Sequence, residues 1–191
     1  IAAGLAVAGL LSGCAFSPDG GMDLVAGIAE HDLQKGVAAI KSPEDADMAS
    51  NAVQQLIKRT LTADSAVQIA LLNNRGLQTA YNELGIAEAA MIGASLPPNP
   101  GFSVERLSNI VEIEIEKRII ANILALATLP ARAQIAEDRF RQAQLVAAEE
   151  TLRVAAETRR AYYRAVAARE LDRFLSQSKD AAATAAQLST R

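Results

Sequence analysis

Val111-Glu112-Ile113-Glu114-Ile115-Glu116 alternates without a break, three β-branched residues falling on one side of an extended chain and three carboxylates on the other. Such a strand has one oily face and one acidic face. In a soluble sheet the acids meet bulk water. In a membrane barrel the apolar face meets lipid and the acidic face lines a wet lumen. The strand alone leaves both settings open. Just upstream, Phe102-Ser103-Val104-Glu105-Arg106-Leu107 reads as a short partner strand, with Ser108-Asn109 as the turn.

Outward from this hairpin the period changes to helical. On the upstream side Val67, Leu71, Asn74, Leu77, Tyr81, Leu84 and Met91 step by threes and fours, with Ala87 and Glu88 filling the one gap. Thr62 caps that helix and Pro97-Pro98-Asn99-Pro100-Gly101 stops it. From Thr62 to Leu96 it is expected to run unbroken for roughly 50 Å. An earlier, shorter helix starts at Ser42-Pro43-Glu44-Asp45, where Ser42 caps, Pro43 suits the first helical position and the acids favour the positive end of the dipole. It runs to about Arg59, with Met48, Ala52, Leu56 and Val53 facing inward. Residues 15–41 read as a linker with at most short helices, and His31 beside Asp32 as a solvated surface residue.

On the downstream side an apolar run from Ile119 to Leu129 is closed by Pro130. From Ala131 to Arg191 there is neither Gly nor Pro, which gives a helix of about 90 Å, far beyond the usual three or four turns. Acid-first pairs such as Glu149/Arg153 support it by a few tenths of about 1 kcal/mol each. Leu145, Leu152, Arg159 and Val166 step by sevens, with Ala148, Ala155 and Tyr162 between them, an incomplete coiled-coil seam rich in small residues.

The ends carry their own signals. Residues 1–13, IAAGLAVAGLLSG, are too short for a bilayer span but have the length of a signal-peptide h-region. They end at Leu11-Ser12-Gly13-Cys14, which resembles a bacterial lipobox, so Cys14 is the expected lipidation site, acyl chains anchoring a protein through their buried methylenes. The leader has no positively charged start, and the last helix is still running at Arg191, so a longer coding sequence is expected at both ends.

Composition narrows the function classes. The chain has 191 residues, 50% of them hydrophobic but only 4% aromatic, a balance that favours long helices packed through small side chains. With 19 basic and 22 acidic residues there is no surplus of positive charge for nucleic acid. One Cys and one His make neither a Cys/His metal site nor a disulfide framework. There is no phosphate loop and no nucleophile elbow, so no enzyme constellation, no metal site and no cofactor is expected apart from the covalent lipid at Cys14.

Leu61-Thr62-Ala63-Asp64-Ser65-Ala66-Val67-Gln68-Ile69-Ala70-Leu71 with Asn73-Asn74, then Leu96-Pro97-Pro98-Asn99-Pro100, then Ile135-Ala136 through Arg139-Phe140 and Gln142-Ala143, and finally Glu157-Thr158-Arg159-Arg160-Ala161-Tyr162-Tyr163 together resemble the TolC-like outer membrane efflux proteins, in their lipoprotein branch. The resemblance covers residues 60–191 and the leader. It departs from the family pattern at Arg75, where Pro is frequent, and at Leu129-Pro130-Ala131-Arg132, where a Phe-Asp-Gly-Gly turn is frequent. It implies residues 1–13 as signal peptide, 14–60 as a lipid-anchored linker with a short helix, and 61–191 as the first of two helix-strand-strand-helix repeats. The implied fold is mainly α with a β-hairpin, its long antiparallel helices forming an α-helical barrel and its strands joining a trimeric outer-membrane β-barrel. Three copies of one hairpin give six strands, below the eight of the smallest bacterial barrels, so the second repeat is part of that expectation.

The implied function is the outer-membrane channel component of a tripartite efflux or type I secretion system, a passive conduit across periplasm and outer membrane. The implied partners are two further copies, a periplasmic adaptor protein, an inner-membrane pump and outer-membrane lipid. On this reading Phe102, Val104, Val111, Ile113 and Ile115 face lipid, and Glu105, Glu112, Glu114 and Glu116 face the lumen, as acidic rings favouring cations. A lipid-anchored periplasmic coiled-coil adaptor or scaffold, with the hairpin in water, is the competing expectation.

Overall fold

The computed structural model describes residues 16–108 and 113–189. The chain is mainly helical with one two-stranded antiparallel sheet. In order come α1 (Asp23–Leu33), α2 (Pro43–Ile57), α3 (Ala63–Asn73), α4 (Arg75–Ser95), β1 (Gly101–Ser108), β2 (Ile113–Ile120), α5 (Ile123–Ala127) and α6 (Leu129–Ser189). The chain separates into two compact units, Ile1–Gly21 with Asn82–Leu145, and Met22–Tyr81 with Val146–Arg191.

The helix starts follow local chemistry. Ser42 accepts from the Asp45 backbone N–H while the Asp45 side chain reaches back to Ser42, a reciprocal capping box with Pro43 at the first position. The backbone N–H of Lys41, and then the Ser42 hydroxyl, hold the Asp45 carboxyl below its ordinary range. Thr62 and Ser65 cap α3 in the same reciprocal way.

Three features depart from the sequence reading. Asp23–Leu33, inside the expected linker, is a helix with Val25 and Ala29 buried, ended by Gln34 in the left-handed region at φ 56°. The helix expected from Thr62 to Leu96 is broken at Asn74, whose backbone is extended and whose Oδ1 accepts from the Leu77 N–H, so one residue ends α3 and caps the start of α4. Pro130 does not close the apolar run. It sits in the first turn of α6, where no intrahelical N–H is needed, and the 61-residue helix starts at Leu129.

In the unit of Met22–Tyr81 and Val146–Arg191, α3 and α4 lie antiparallel to α6. The Arg159 guanidinium donates to Asp64 at 3.2 Å, the Tyr162 hydroxyl to the Leu61 carbonyl at 3.2 Å, and Tyr81 and Thr151 share a hydrogen bond at 3.0 Å. Val67, Leu71, Leu77 and Tyr81 are buried, as the stripe predicts, and Ala147, Ala148, Thr151, Val154 and Ala155 are buried on α6. The seam on α6 is therefore shifted from the heptad reading. Ala148 and Ala155 belong to it, but Leu145 is 52% exposed and Thr151 lies inside. Small side chains let helices approach closely, so on α6 the inner positions went to Ala, Thr and Val and not to the larger leucine. Burial pushes the Tyr81 hydroxyl upward in pKa, and its bond to Thr151 partly offsets this. Met48, expected to face inward, is exposed.

In the other unit a turn at residues 17–21 is clamped against two helices. The buried Glu88 carboxylate of α4 accepts from the Ser17 backbone N–H at 2.7 Å and from its hydroxyl at 2.5 Å. Gln144 of α6 donates to the Gly21 carbonyl at 2.8 Å. Gly21 has φ 78°, and a Cβ there would lie 2.5 Å from the Phe140 ring, so both backbone and space require glycine. Glu88, a gap in the apolar stripe, is thus the acceptor that fixes the chain at Ser17.

Candidate membrane-facing hairpin

β1 and β2 pair through eight residue pairs, from Gly101 opposite Ile120 to Ser108 opposite Ile113. Directly opposed residues in an antiparallel ladder share a face. One face therefore carries Phe102, Val104 and Arg106 with Ile115, Lys117 and Ile119, and the other carries Ser103 and Glu105 with Glu116, Arg118 and Ile120. Phe102, Val104 and Ile115, read from the sequence as lipid-facing, are brought to one face. Glu105 and Glu116, read as lumen-facing, are directly opposed on the other. Ile113 and Glu114 hold paired positions, opposite Ser108 and Leu107. Val111, Glu112 and Cys14 lie outside the described residues.

Among the described residues, none covers the apolar side. Phe102 is 67% exposed, Val104 55%, Ile115 59% and Ile119 74%. A two-stranded hairpin in water is marginally stable at best, so four large apolar residues facing outward point to a surface that is covered in use. On the acidic face, opposed carboxylates repel across the pair Glu105–Glu116. Arg118 lies within 2.6 Å of Glu116 and relieves part of that repulsion.

The structure also adds what the alternation did not show. β2 runs on through Lys117 and Arg118 to Ile120, and the antiparallel register sets Arg106 and Lys117 among the apolar residues. A single strand's alternation does not reveal the cross-strand register.

Elsewhere, a hollow of about 630 Å³ lies along α6 between Ala156 and Ala167, lined by Arg159, Arg160, Tyr163 and Arg164. One helix supplies all of its lining, and it brings together no nucleophile, base or metal ligands. Among the described residues no group of His, Cys, Asp and Glu side chains is placed to hold a metal ion, and no helix is long and apolar enough to cross a membrane. Beyond Ala161, α6 is exposed to Ser189 apart from the half-buried Tyr162, with Leu171, Phe174 and Leu175 forming an uncovered apolar stripe. Compared with protein-family models, with curated proteins and with solved structures, the chain matches none.

Proposed function

We propose that this chain is the first repeat of an outer-membrane channel component for an efflux or type I secretion system, anchored by lipid at Cys14 and working as a passive conduit. The observation that carries this reading is the register: it sorts Phe102, Val104, Ile115 and Ile119 onto one uncovered face and Glu105 and Glu116 onto the other. A membrane barrel needs that division, with hydrocarbon outside and water within. Eight residues per strand reach about 26 Å, or about 20 Å at a tilt near 40°, most of an apolar band about 25 Å tall. The long helix α6 and its exposed stripe at Leu171, Phe174 and Leu175 suit an α-helical barrel built from several copies. In that assembly, a homotrimer, Glu112, Glu114 and Glu116 of each copy ring the lumen and favour cations. An adaptor protein and an inner-membrane pump supply the drive, and the chain itself catalyses nothing.

The second reading, a lipid-anchored periplasmic scaffold, is favoured by one observation: Arg106 and Lys117 stand on the apolar face. A lipid-facing Arg or Lys costs about 2–4 kcal/mol at the bilayer midplane and nearly nothing at its edges. Trypsin separates the readings, because it cuts at Lys117 and Arg118 only where they are accessible. In outer-membrane vesicles from cells making the intact protein, the conduit predicts that both bonds survive until detergent is added. Cleavage in sealed vesicles opened only to the periplasmic face, with the hairpin released by alkaline extraction, supports the scaffold.

A further inference from the structure

From Lys117 to Ala136 the chain carries three cations, Lys117, Arg118 and Arg132, and no carboxylate. Inside this stretch four large apolar residues are mostly exposed: Ile119 is 74% exposed, Ile120 61%, Ile123 77% and Leu124 74%. Ile119 and Ile120 close the open end of the hairpin, one on each face. Asn122 then caps α5 by accepting from the Ala125 N–H at 2.9 Å, which turns the chain at once into an apolar helical segment, Ile123-Leu124-Ala125-Leu126-Ala127. The Arg132 guanidinium donates to the Ala125 carbonyl at 3.2 Å, so a cation is held against the apolar segment.

An apolar block bracketed by cations, with no carboxylate within it, is the pattern of a segment lying in the interface of an anionic bilayer. The acids that mark the hairpin's other face stop at Glu116, and the next carboxylate in the chain is Glu137. We propose that Ile119, Ile123 and Leu124 form a collar at the base of the hairpin that seats in the headgroup and upper acyl region of an anionic phospholipid leaflet, with Lys117 and Arg132 on the phosphates. The inference rests on the membrane reading of the hairpin and fixes where the leaflet meets the chain.

The chain has no Trp, so a single introduced Trp is an unambiguous reporter. Three full-length variants are compared, Ile123→Trp in the collar, Val104→Trp in the hairpin and Leu171→Trp on the exposed part of α6. Each is mixed with phosphatidylglycerol or phosphatidylcholine vesicles, with and without brominated acyl chains. The expected result for Ile123→Trp is a blue shift and loss of most emission to bromolipid, strongest with phosphatidylglycerol, while Leu171→Trp is unaffected. Arg132→Gln should weaken partition of the Ile123→Trp protein about fivefold, the equivalent of about 1 kcal/mol per cation near the surface. Quenching of Val104→Trp without Ile123→Trp overturns the collar and leaves the conduit standing. Quenching of Ile123→Trp without Val104→Trp supports the collar and contradicts the conduit. A blue shift that bromolipid does not quench means burial against protein and overturns the collar, as does equal binding to both lipids.

Discussion

Leu71→Ala is expected to lower the stability of the helical packing by about 2–5 kcal/mol, the range for deleting a fully buried leucine side chain. Leu71 is wholly buried on α3, in the unit where α3 and α4 run antiparallel to α6. The buried positions on α6 there are alanine, threonine and valine, short or branched side chains with little reach to refill a void. The cavity term therefore adds to the lost transfer energy. Leu171→Ala makes the same chemical change at a position 57% exposed, and within a single chain it should move stability by no more than about 0.5 kcal/mol. Denaturant unfolding followed by helical circular dichroism measures both. A lower midpoint at unchanged slope for Leu71→Ala, with Leu171→Ala close to the parent, is the expected outcome. Equal midpoints would remove Leu71 from the core.

Glu88→Ala is expected to free the turn at residues 17–21. The Glu88 carboxylate, 3% exposed, accepts both from the Ser17 backbone N–H and from its hydroxyl, and that hydroxyl in turn accepts from the Gly21 N–H at 2.7 Å. Removing the shared acceptor strands two part-buried donors at about 1–3 kcal/mol each. Amide exchange at Ser17 and Gly21 should then quicken by about tenfold for every 1.4 kcal/mol lost. The amides of α2, in the other unit, should exchange as before. Glu88→Gln, which keeps an acceptor oxygen but turns an NH2 toward the donors, should fall between. Unchanged protection at Ser17 in Glu88→Ala would show that the Gly21 contacts with Phe140 and Gln144 hold the turn without the carboxylate. On the proposed reading this turn is the join between the lipid at Cys14 and the body of the protein, so its loosening would detach the anchor mechanically while leaving the helices folded.

The sequence made the long-range plan legible where period and punctuation agree. Val67, Leu71, Leu77, Tyr81 and Leu84 could be read as one buried stripe because a 3.6-residue period survives over many turns. Ser42 and Thr62 could be read as caps because capping is local chemistry. What escaped was set by neighbours distant in sequence. Asp23–Leu33 buries only Val25 and Ala29, too few positions to show a period. Asn74 is an ordinary helix residue until its side chain takes the Leu77 N–H. On α6 the seven-residue step names Ala148 and Ala155, which are buried, but it passes over Thr151 and Val154 in favour of Leu145, which is exposed. In the hairpin, alternation separates Ile115 from Glu116 and puts Arg106 on the side of Phe102 and Val104 and Lys117 on the side of Ile115, but only the register joins those two sides into one face.

Arg106 and Lys117 put a constraint on any bilayer placement. Long cationic side chains reach toward headgroups while their stems stay in the apolar zone. Lys117 is three pairs from the base of the hairpin, next to the Ile119–Leu126 block, which suits a cation at the lower interface. Arg106 lies toward the other end, opposite Ile115. Lys117 stands directly opposite Val104, so the two charges occupy adjacent levels of the face.

Residue-by-residue accessibility across Ile115 and Glu116 bears most directly on the conduit. Nitroxide labels would be placed one at a time at these two positions in the intact protein in outer-membrane vesicles, and their relaxation by oxygen, which concentrates in hydrocarbon, compared with relaxation by a water-soluble metal chelate. The conduit predicts oxygen-dominated relaxation at 115 and chelate-dominated relaxation at 116. Chelate-dominated relaxation at both positions would contradict it and leave the hairpin in water.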